Sequence, residues 1–242
     1  MDLISAIKLS VDSRVKQACF NLKKGEMLGL IGPNGAGKST LLNSLAGLEK
    51  FTGELQINGQ VFDSLSPKQR ARLVGLQPQI MDSTWSLSVS DIVGLGRIPW
   101  GDANNDAIQC AMRKAKVTEF AERRIDHLSG GERARVWLAR AFAGEPLILL
   151  SDEPIASLDI HFQLEVMKVL KSYAEEHHGV IVALHDLSLA ARFCDRLCLM
   201  HEGEIVSQGT AEEVLTNPLL SNVYGVDVEV DLEHSPPIIL AK

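Results

Sequence analysis

A glycine-rich segment at residues 32–40 has the residue types that surround a triphosphate. It follows the pattern G-x-x-x-x-G-K-[ST], in which backbone N–H groups turn inward around phosphate oxygens at the start of a helix. Lys38 would reach the β- and γ-phosphates, and the Ser39 hydroxyl would coordinate Mg²⁺. The alternative is a strand-to-helix turn with a solvated lysine. The candidate nucleotide ligands are Gly32, Pro33, Asn34, Gly35, Ala36, Gly37, Lys38, Ser39 and Thr40.

Two adjacent carboxylates, Asp152 and Glu153, follow an apolar run at residues 147–150. Such a run is typical of a strand buried on both faces, and open α/β sheets gather their ligand chemistry at the carboxyl ends of such strands. Asp152 could there coordinate Mg²⁺, and Glu153 could polarise a water molecule in line with the γ-phosphate. A solvated turn carrying two acids is the alternative. Ser151 interrupts the apolar run, and we expect no effect on the chemistry.

A third segment, Leu-Ser-Gly-Gly-Glu at residues 128–132, combines a helix start with two glycines. Ser129 and Glu132 have the spacing of a capping box, so a helix should begin here with free N–H groups and a positive end. Gly130 and Gly131 lack side chains that would block the close approach of an anion. Without a ligand, the same pattern predicts a well-capped helix and nothing more.

The elements that must position these residues alternate between strands and helices. Apolar runs predict buried strands at residues 27–31, 147–150 and 180–184, each followed by a helical pattern or a polar turn. Asn58-Gly59 predicts a hairpin turn in a small antiparallel region. Residues 82–127 differ, because their apolar side chains have helical spacing, including 89–96 and 107–120. The pattern predicts an α/β core interrupted by a helical insertion.

The segment 128–132, followed by a basic, alanine-rich helix, resembles the signature of ATP-binding cassette (ABC) proteins, and the resemblance runs from end to end of the chain. It implies one ABC ATPase domain, residues 1–242, with the phosphate-loop NTPase fold, ATP and Mg²⁺. A RecA-like nucleotide-binding core with a small antiparallel β subdomain would comprise residues 1–81 and 145–242. An inserted α-helical subdomain, residues 82–144, would carry the signature.

The resemblance also implies a composite site between two copies of the chain. Ser129, Gly130 and Gly131 would contact the γ-phosphate of a nucleotide held by the phosphate loop of the other copy. A complete site would then need a head-to-tail dimer that closes on two ATP molecules and reopens after hydrolysis.

Two further residues match the family by position. His185, after the strand predicted at 180–184, resembles the switch histidine that senses the γ-phosphate and helps position the attacking water. Gln79 resembles the Q-loop glutamine that contacts Mg²⁺ and water, with Gln77 as the competing candidate. The implied catalytic residues are Glu153, His185 and Gln79, and the implied Mg²⁺ ligands are Ser39, Gln79 and Asp152.

The adenine site departs from the family. Residues 10–15 lack the aromatic residue that many ABC subunits stack on the base. Arg14 could stack its guanidinium there instead, whereas a solvent-exposed arginine is the plainer interpretation.

Composition narrows the class of protein. The net charge of -7 argues against a nucleic-acid partner. Four cysteines at 19, 110, 194 and 198 form no metal or disulfide pattern and are expected to be buried thiols, and His177-His178 is expected to face solvent. The sequence shows neither a secretory signal nor a membrane-spanning run. We therefore expect a cytoplasmic protein, and the family resemblance implies that partners hold it, as a peripheral protein, on the cytoplasmic side of the bacterial inner membrane.

The arrangement of the chain favours an importer subunit. The chain has one cassette, no fused membrane domain and no long coiled coil between Gln79 and the signature. Residues 88–100 are similar to a run in importers for iron-siderophores, haem and vitamin B12, and the implied partners are two polytopic permease subunits and, indirectly, a periplasmic binding protein. Residues 10–15 and the tail at 224–227 most resemble the vitamin B12 branch, so vitamin B12 is the expected cargo. Iron-siderophore or haem import is the alternative, and a soluble regulatory ABC protein is a second.

Overall fold

The structure is a computed structural model that describes residues 2–79 and 87–241. Its strands are β1 Asp2–Val11, β2 Val15–Lys23, β3 Met27–Ile31, β4 Thr52–Ile57, β5 Gln60–Val61, β6 Val74–Gln77, β7 Ile148–Asp152, β8 Gly179–Ala183, β9 Arg196–His201, β10 Glu204–Gly209, β11 Val228–Asp231 and β12 Ile238–Ala241. Its α-helices are α1 Lys38–Leu45, α2 Pro67–Leu73, α3 Val89–Gly94, α4 Asn105–Lys114, α5 Gly130–Ala143, α6 Ile160–Glu175, α7 Leu187–Phe193, α8 Ala211–Val214 and α9 Asn217–Tyr224.

A sheet of six strands forms the core, in the order β10-β9-β3-β8-β7-β6. β9, β3, β8, β7 and β6 are parallel, and β10 is antiparallel to β9. Every residue of β3, β7 and β8 is buried, as their continuous apolar runs predict. Alternation along β3 sends Met27 and Ile31 into one hydrophobic cluster and Leu28 and Leu30 into another, so both faces of the sheet are covered.

A smaller antiparallel sheet, in the order β2-β1-β4-β5, packs beside this core. β4 and β5 pair across Asn58-Gly59, with Ile57 opposite Gln60, as the turn sequence predicts. Its apolar side chains join the same cluster as Leu28 and Leu30 of β3. The phosphate-loop α/β fold with an antiparallel subdomain is therefore confirmed.

Helices α3, α4 and α5 follow β6 in the chain and precede β7, where the helical insertion is predicted. Residues 82–86 of that prediction lie outside the described residues. The helix predicted over 107–120 is wrong in its second half: α4 ends at Lys114, and only a short 3₁₀ turn, Thr118–Phe120, follows. The break occurs at Lys116, whose φ of 56° is left-handed and cannot continue a right-handed helix.

Arg97 fastens the start of this insertion to the end of α5. Its side chain is 3% exposed, and its Nη1 donates to the carbonyl of Ala143 at 3.0 Å and to Glu145 at 2.6 Å. Nε and Nη2 donate to the two carboxylate oxygens of Asp102 at 2.8 and 2.9 Å. The loop after α3 is thus held by a planar fork of donors.

Two expectations about polar side chains are corrected. His177 is exposed as expected, but His178 is half-buried: its ring stacks on Tyr173 at 4.1 Å between centroids, and burial lowers the pKa of the imidazole. Cys19 is exposed on β2, whereas Cys198 is buried and the other two cysteines are half-buried.

In the described part of the chain, no helix has the length and apolar character needed to cross a membrane.

Candidate nucleotide-binding site

Four neighbouring strands bring the candidate residues to one edge of the sheet. β3 runs into residues 32–40, β8 into His185, β7 into Asp152 and Glu153, and β6 toward Gln79. The strands are adjacent and parallel, so their carboxyl ends coincide. This is where open α/β sheets hold their ligands.

A cavity of about 670 Å³ lies at this edge. It is lined by Arg14, Asn34, Gly35, Ala36, Gly37, Lys38, Ser39, Thr40, Gln79, Glu153 and His185. Gly37 ends the loop with a φ of 102°, and a Cβ there would lie 2.5 Å from the carbonyl oxygen of Arg14. Only glycine fits this position, which turns the chain from the loop into α1.

Lys38 lies inside the loop rather than in solvent. Its side chain is 5% exposed, and its Nζ donates to the carbonyl oxygens of Gly32 at 2.8 Å and Pro33 at 3.2 Å. Burial lowers the pKa of Lys38, and the nearby carboxylates of Glu153 and Asp152 oppose that shift. The ammonium therefore already has partners inside the loop, which excludes the solvated-lysine interpretation.

Glu153 is the centre of the polar contacts in the cavity. The Nε2 of Gln79 donates to one carboxylate oxygen at 2.6 Å, and the Nε2 of His185 makes a short contact with the other. The Glu153 side chain is 13% exposed. Its φ of 49° is unusual for a residue with a side chain and turns the chain directly after β7. Gln79 and His185 thus both contact Glu153, so the three predicted catalytic residues lie together in the cavity.

The structure separates the two glutamines that compete for the cavity. Gln77 is 4% exposed, and its side-chain oxygen accepts a hydrogen bond from the Ser151 hydroxyl at 2.8 Å. Gln77 and Ser151 are paired across β6 and β7. Gln79 instead lines the cavity, so its position agrees with the Q-loop expectation and that of Gln77 does not. Sequence reasoning missed this pair, because the two residues are far apart in the chain.

Asp152 has an environment that suits a bound cation. Its Oδ1 is buried without a hydrogen-bond partner, and the carboxyl interacts with the Ser39 hydroxyl. Burial raises the pKa of Asp152, while the bond from Ser39 opposes the shift. A buried carboxylate oxygen without a partner is costly unless a cation or a donor reaches it. Asp152 and Ser39 therefore fit Mg²⁺. Among the described residues, no group of three or more His, Cys, Asp or Glu is placed to hold a metal by itself.

The predicted capping box is present at Ser129. Its hydroxyl accepts from the Glu132 N–H at 3.3 Å, and the Glu132 carboxylate accepts from the Ser129 N–H at 2.7 Å. The Ser129 hydroxyl also donates to the Glu132 carboxylate at 2.7 Å, and this hydrogen bond, followed by the one from the Ser129 N–H, lowers the pKa of Glu132. Ser129, Gly130 and Gly131 do not line the phosphate-loop cavity. Within one chain the structure does not bring the two segments together.

The two signature glycines differ in what surrounds them. A Cβ on Gly130 would have ordinary contact only, 3.8 Å from Leu158, which agrees with room for an anion. A Cβ on Gly131 would lie 2.1 Å from the ring of Phe162. The missing side chain of Gly131 therefore makes room for the Phe162 ring, and the contact of Gly131 with an anion stays a prediction.

Arg14 lies at the mouth of the cavity and is exposed. It occupies the turn between β1 and β2, where its N–H donates to the carbonyl of Val11 at 3.0 Å. Its position is compatible with contact to a base, and its exposure agrees with the plainer interpretation.

Comparison with known proteins agrees with this geometry. The model of the ABC transporter family matches residues 15–156. A hemin import ATP-binding protein HmuV of Bordetella avium is 42% identical and covers 94% of each chain. The corresponding protein of Thermobifida fusca is 39% identical, over 87% of this chain and 76% of its own.

Solved structures share the fold. The chain is 24% identical to a protein described as a metal-chelate type ABC transporter in an inward-facing conformation, with a TM-score of 0.87 over 100% of this chain and 98% of the other. It is 26% identical to cbiO1 from Clostridium perfringens, with a TM-score of 0.80 over 91% and 93% of the two chains. The curated relatives named above are named for hemin, not for the expected vitamin B12.

Proposed function

The chain belongs to the ABC transporter family as the ATP-binding subunit of an importer, and we propose that its cargo is haem. The observation that carries the cargo is the 42% identity to a hemin import subunit over 94% of both chains. Haem therefore replaces vitamin B12 as the assigned cargo. The vitamin B12 assignment depended on the similarity of residues 10–15 and of the tail at 224–227. The cassette lies far from the cargo in such an importer, so its own site cannot distinguish the two.

The nucleotide is ATP, held first by residues 32–40. Their backbone N–H groups and the start of α1 attract the phosphates. Lys38 then exchanges the carbonyl oxygens of Gly32 and Pro33 for phosphate oxygens. Asp152 and Ser39, with Gln79 from the segment after β6, would hold Mg²⁺ beside the phosphates. When bound, Mg²⁺ neutralises charge that develops on the β- and γ-phosphates.

Glu153 acts as the general base for the attacking water. Its carboxylate lies inside the cavity, where two polar side chains can orient it. His185 holds one oxygen and senses the γ-phosphate, and Gln79 holds the other. The presence of this acid in the cavity disfavours the regulatory alternative, in which ATP would only drive dimerisation.

The complete site forms between two copies arranged head-to-tail. Ser129, Gly130 and Gly131 lie outside the cavity of their own chain, which supports a role at the partner's nucleotide. The capped end of α5 offers free N–H groups and a positive dipole to that γ-phosphate. ATP therefore closes the dimer, and hydrolysis removes the group that joins its two halves.

The remaining assignments concern the assembly. We assign residues 82–144 to the helical subdomain that contacts the permease pair and residues 1–81 and 145–242 to the core, with residues 80–86 outside the described part of the chain. Two polytopic permease subunits place the dimer on the cytoplasmic face of the membrane, and a periplasmic binding protein delivers the cargo.

Uptake measurements in the host organism test the cargo. Cells that lack the chain should stop accumulating iron from haemin and should keep their uptake of vitamin B12 and of iron-siderophore. The wild-type chain should restore haemin uptake, and Glu153→Gln should not, because removal of the base slows hydrolysis by about 10²- to 10⁴-fold.

Glu204→Gln, an exposed acid on β10, is the matched control and should restore uptake. If cells that lack the chain lost only their uptake of vitamin B12, the cargo would be vitamin B12 and not haem. Full restoration by Glu153→Gln would exclude its assigned role while leaving the cargo assignment in place.

A further inference from the structure

Gly131, one of the three predicted signature residues 129–131, lies directly against Phe162 of α6 in the same chain. A Cβ on Gly131 would lie 2.1, 2.4 and 2.5 Å from Cγ, Cδ1 and Cδ2 of Phe162. The ring therefore lies flat over the Cα of Gly131, which is buried beneath it. By contrast, the neighbouring Gly130 has ordinary contact with Leu158 at 3.8 Å. Any displacement of the Gly131 backbone toward α6 must move the ring.

Phe162 is joined to the catalytic carboxylate by a short, hydrogen-bonded stretch. Its N–H donates to the Oδ1 of Asp159, which caps α6, at 3.0 Å. In the segment 153–159, the Ala156 N–H donates to the carbonyl of Glu153 at 3.1 Å. Ile155, in the middle of the segment, is 6% exposed and packs in the core. This stretch has little slack, so a shift of α6 reaches Glu153.

A second set of contacts holds the ring from the helical side. Arg135, one turn after Gly131, places its guanidinium 5.8 Å from the centroid of the Phe162 ring. Its Nη1 also donates to the carbonyl of Lys116 at 3.0 Å. The Nζ of Lys116 in turn contacts Glu165 of α6 at 2.8 Å, and this ion pair holds the pKa of Glu165 down at about 2. α5 is thereby connected to α6 through Lys116 and Glu165 as well as through the contacts at Phe162.

We propose that Phe162 is a positioning residue that makes the signature of one copy move together with the catalytic carboxylate of the same copy. The inference rests on the proposed head-to-tail dimer, in which Ser129 and its neighbours serve the partner's nucleotide. Closure of the signature on that nucleotide pushes Gly131 against the ring, and the ring sets the position of α6 and of Glu153. Each copy thus aligns its own base when it engages the other site.

Three variants separate this coupling from simple packing. Gly131→Ala should prevent ATP-driven dimerisation, because the new methyl group collides with the ring. Phe162→Ala should still dimerise, but single-turnover hydrolysis in the dimer should fall by about 10- to 100-fold, since misplacement of a base by about an ångström costs that much. In the double variant, dimerisation should return while hydrolysis stays slow. If Phe162 had only a structural role, its loss would not slow hydrolysis while leaving ATP-driven dimerisation intact.

Phe162→Leu keeps most of the apolar volume and should show a smaller loss of hydrolysis. Phe193→Ala, a half-buried phenylalanine on α7, is the matched control and should hydrolyse ATP like the wild type once it is dimeric. Binding of ATP by each monomer, measured by calorimetry, should be unchanged, because Phe162 does not line the phosphate-loop cavity. Thermal unfolding of each variant is measured alongside.

The proposal is overturned if dimeric Phe162→Ala and Phe162→Leu hydrolyse ATP at the wild-type rate. It is also overturned if Phe162→Ala fails to restore dimerisation to Gly131→Ala. Failure of the proposed function would be visible in the wild-type chain itself, which would then neither dimerise with ATP nor hydrolyse it.

Discussion

Ser151 and Gln77 form a polar pair inside a parallel sheet, one residue before the catalytic acids. The hydroxyl of Ser151 donates to the side-chain oxygen of Gln77 at 2.8 Å, and both side chains are buried. In low dielectric each group depends on the other, because water cannot replace either partner. The pair therefore holds the ends of β6 and β7 together where Gln79 and Asp152 leave the sheet.

Ser151→Ala should lower the free energy of unfolding by about 1–3 kcal/mol, because it leaves the Gln77 oxygen buried without a donor. Replacing both partners, as Ser151→Ala with Gln77→Leu, should recover part of this loss. Urea unfolding measures both variants, and Ser13→Ala in an exposed turn is the control. Equal stability of Ser151→Ala and wild type would show that the bond contributes nothing.

At this scale, residue types and spacing predicted where the candidate site residues lie better than they predicted the packing around them. Lys38, Asp152 and Glu153 could be placed because each follows a recognisable strand. The tight contact of Gly131 could not, because its partner lies on another helix and no local pattern marks Phe162. The role of Ser151 could not be predicted either. It interrupts an apolar run, and its partner Gln77 lies on a neighbouring strand far away in the sequence.

The loop after α3 shows how one side chain can organise an element. Arg97 uses its whole guanidinium: one edge binds Asp102, and the other binds the end of α5. The ring of Trp100 also lies 5.0 Å from it. Lysine cannot reproduce this fork, because it carries a single point of charge.

Arg97→Lys should destabilise the protein by about 1.5–3 kcal/mol, the contribution of hydrogen bonds to charged groups. Thermal unfolding at neutral pH measures the loss, with Arg192→Lys, an exposed arginine, as the control.

The hydrogen bond from Arg97 is the main cause that lowers the pKa of Asp102 to about 2. Since a depressed carboxyl pKa stabilises the fold above its unfolded value, near 3.9, the difference between Arg97→Lys and wild type should shrink as the pH falls from about 4 toward 2. A difference that grows in acid would contradict this source of stability.

Element boundaries were predictable where capping residues are present. The start of α5 at Gly130 follows from Ser129 and Glu132, whereas the end of α4 depends on Lys116 in a left-handed conformation that lysine does not signal. His178 was misplaced for a related reason, since its stacking partner Tyr173 belongs to the preceding helix and gives no sign in a polar stretch.

In the whole molecule, Ser129, Gly130 and Gly131 do not line the phosphate-loop cavity of their own chain, although Gly130 lines a neighbouring cavity that shares Gln79 and Glu153 with it. Mixed dimers can test whether the phosphate-loop cavity of one copy and the signature of the other complete each other. Lys38→Ala should abolish ATP binding by a single chain, because it removes the main charge that faces the phosphates. Ser129→Arg should bind ATP as a monomer and fail to dimerise, because a bulky cation fills the space for the partner's γ-phosphate.

A mixture of the two variants should dimerise weakly with ATP, although neither does so alone. In each mixed pair, the Ser129→Arg copy supplies a normal phosphate loop and the Lys38→Ala copy supplies a normal signature, so one site is complete. Sedimentation with ATP measures this. Monomers only in the mixture, under conditions where the wild type dimerises, would count against the head-to-tail arrangement.

The position of the signature outside its own chain's cavity has a consequence for inheritance. In the proposed dimer, a chain with a damaged Ser129 turn keeps its own ATP and disables the site of whichever copy it meets. A cell that makes both normal and damaged chains would lose activity from normal ones as well, so such an allele should act dominantly. Natural selection on residues 129–131 therefore acts through the activity of the dimer and not of the single chain.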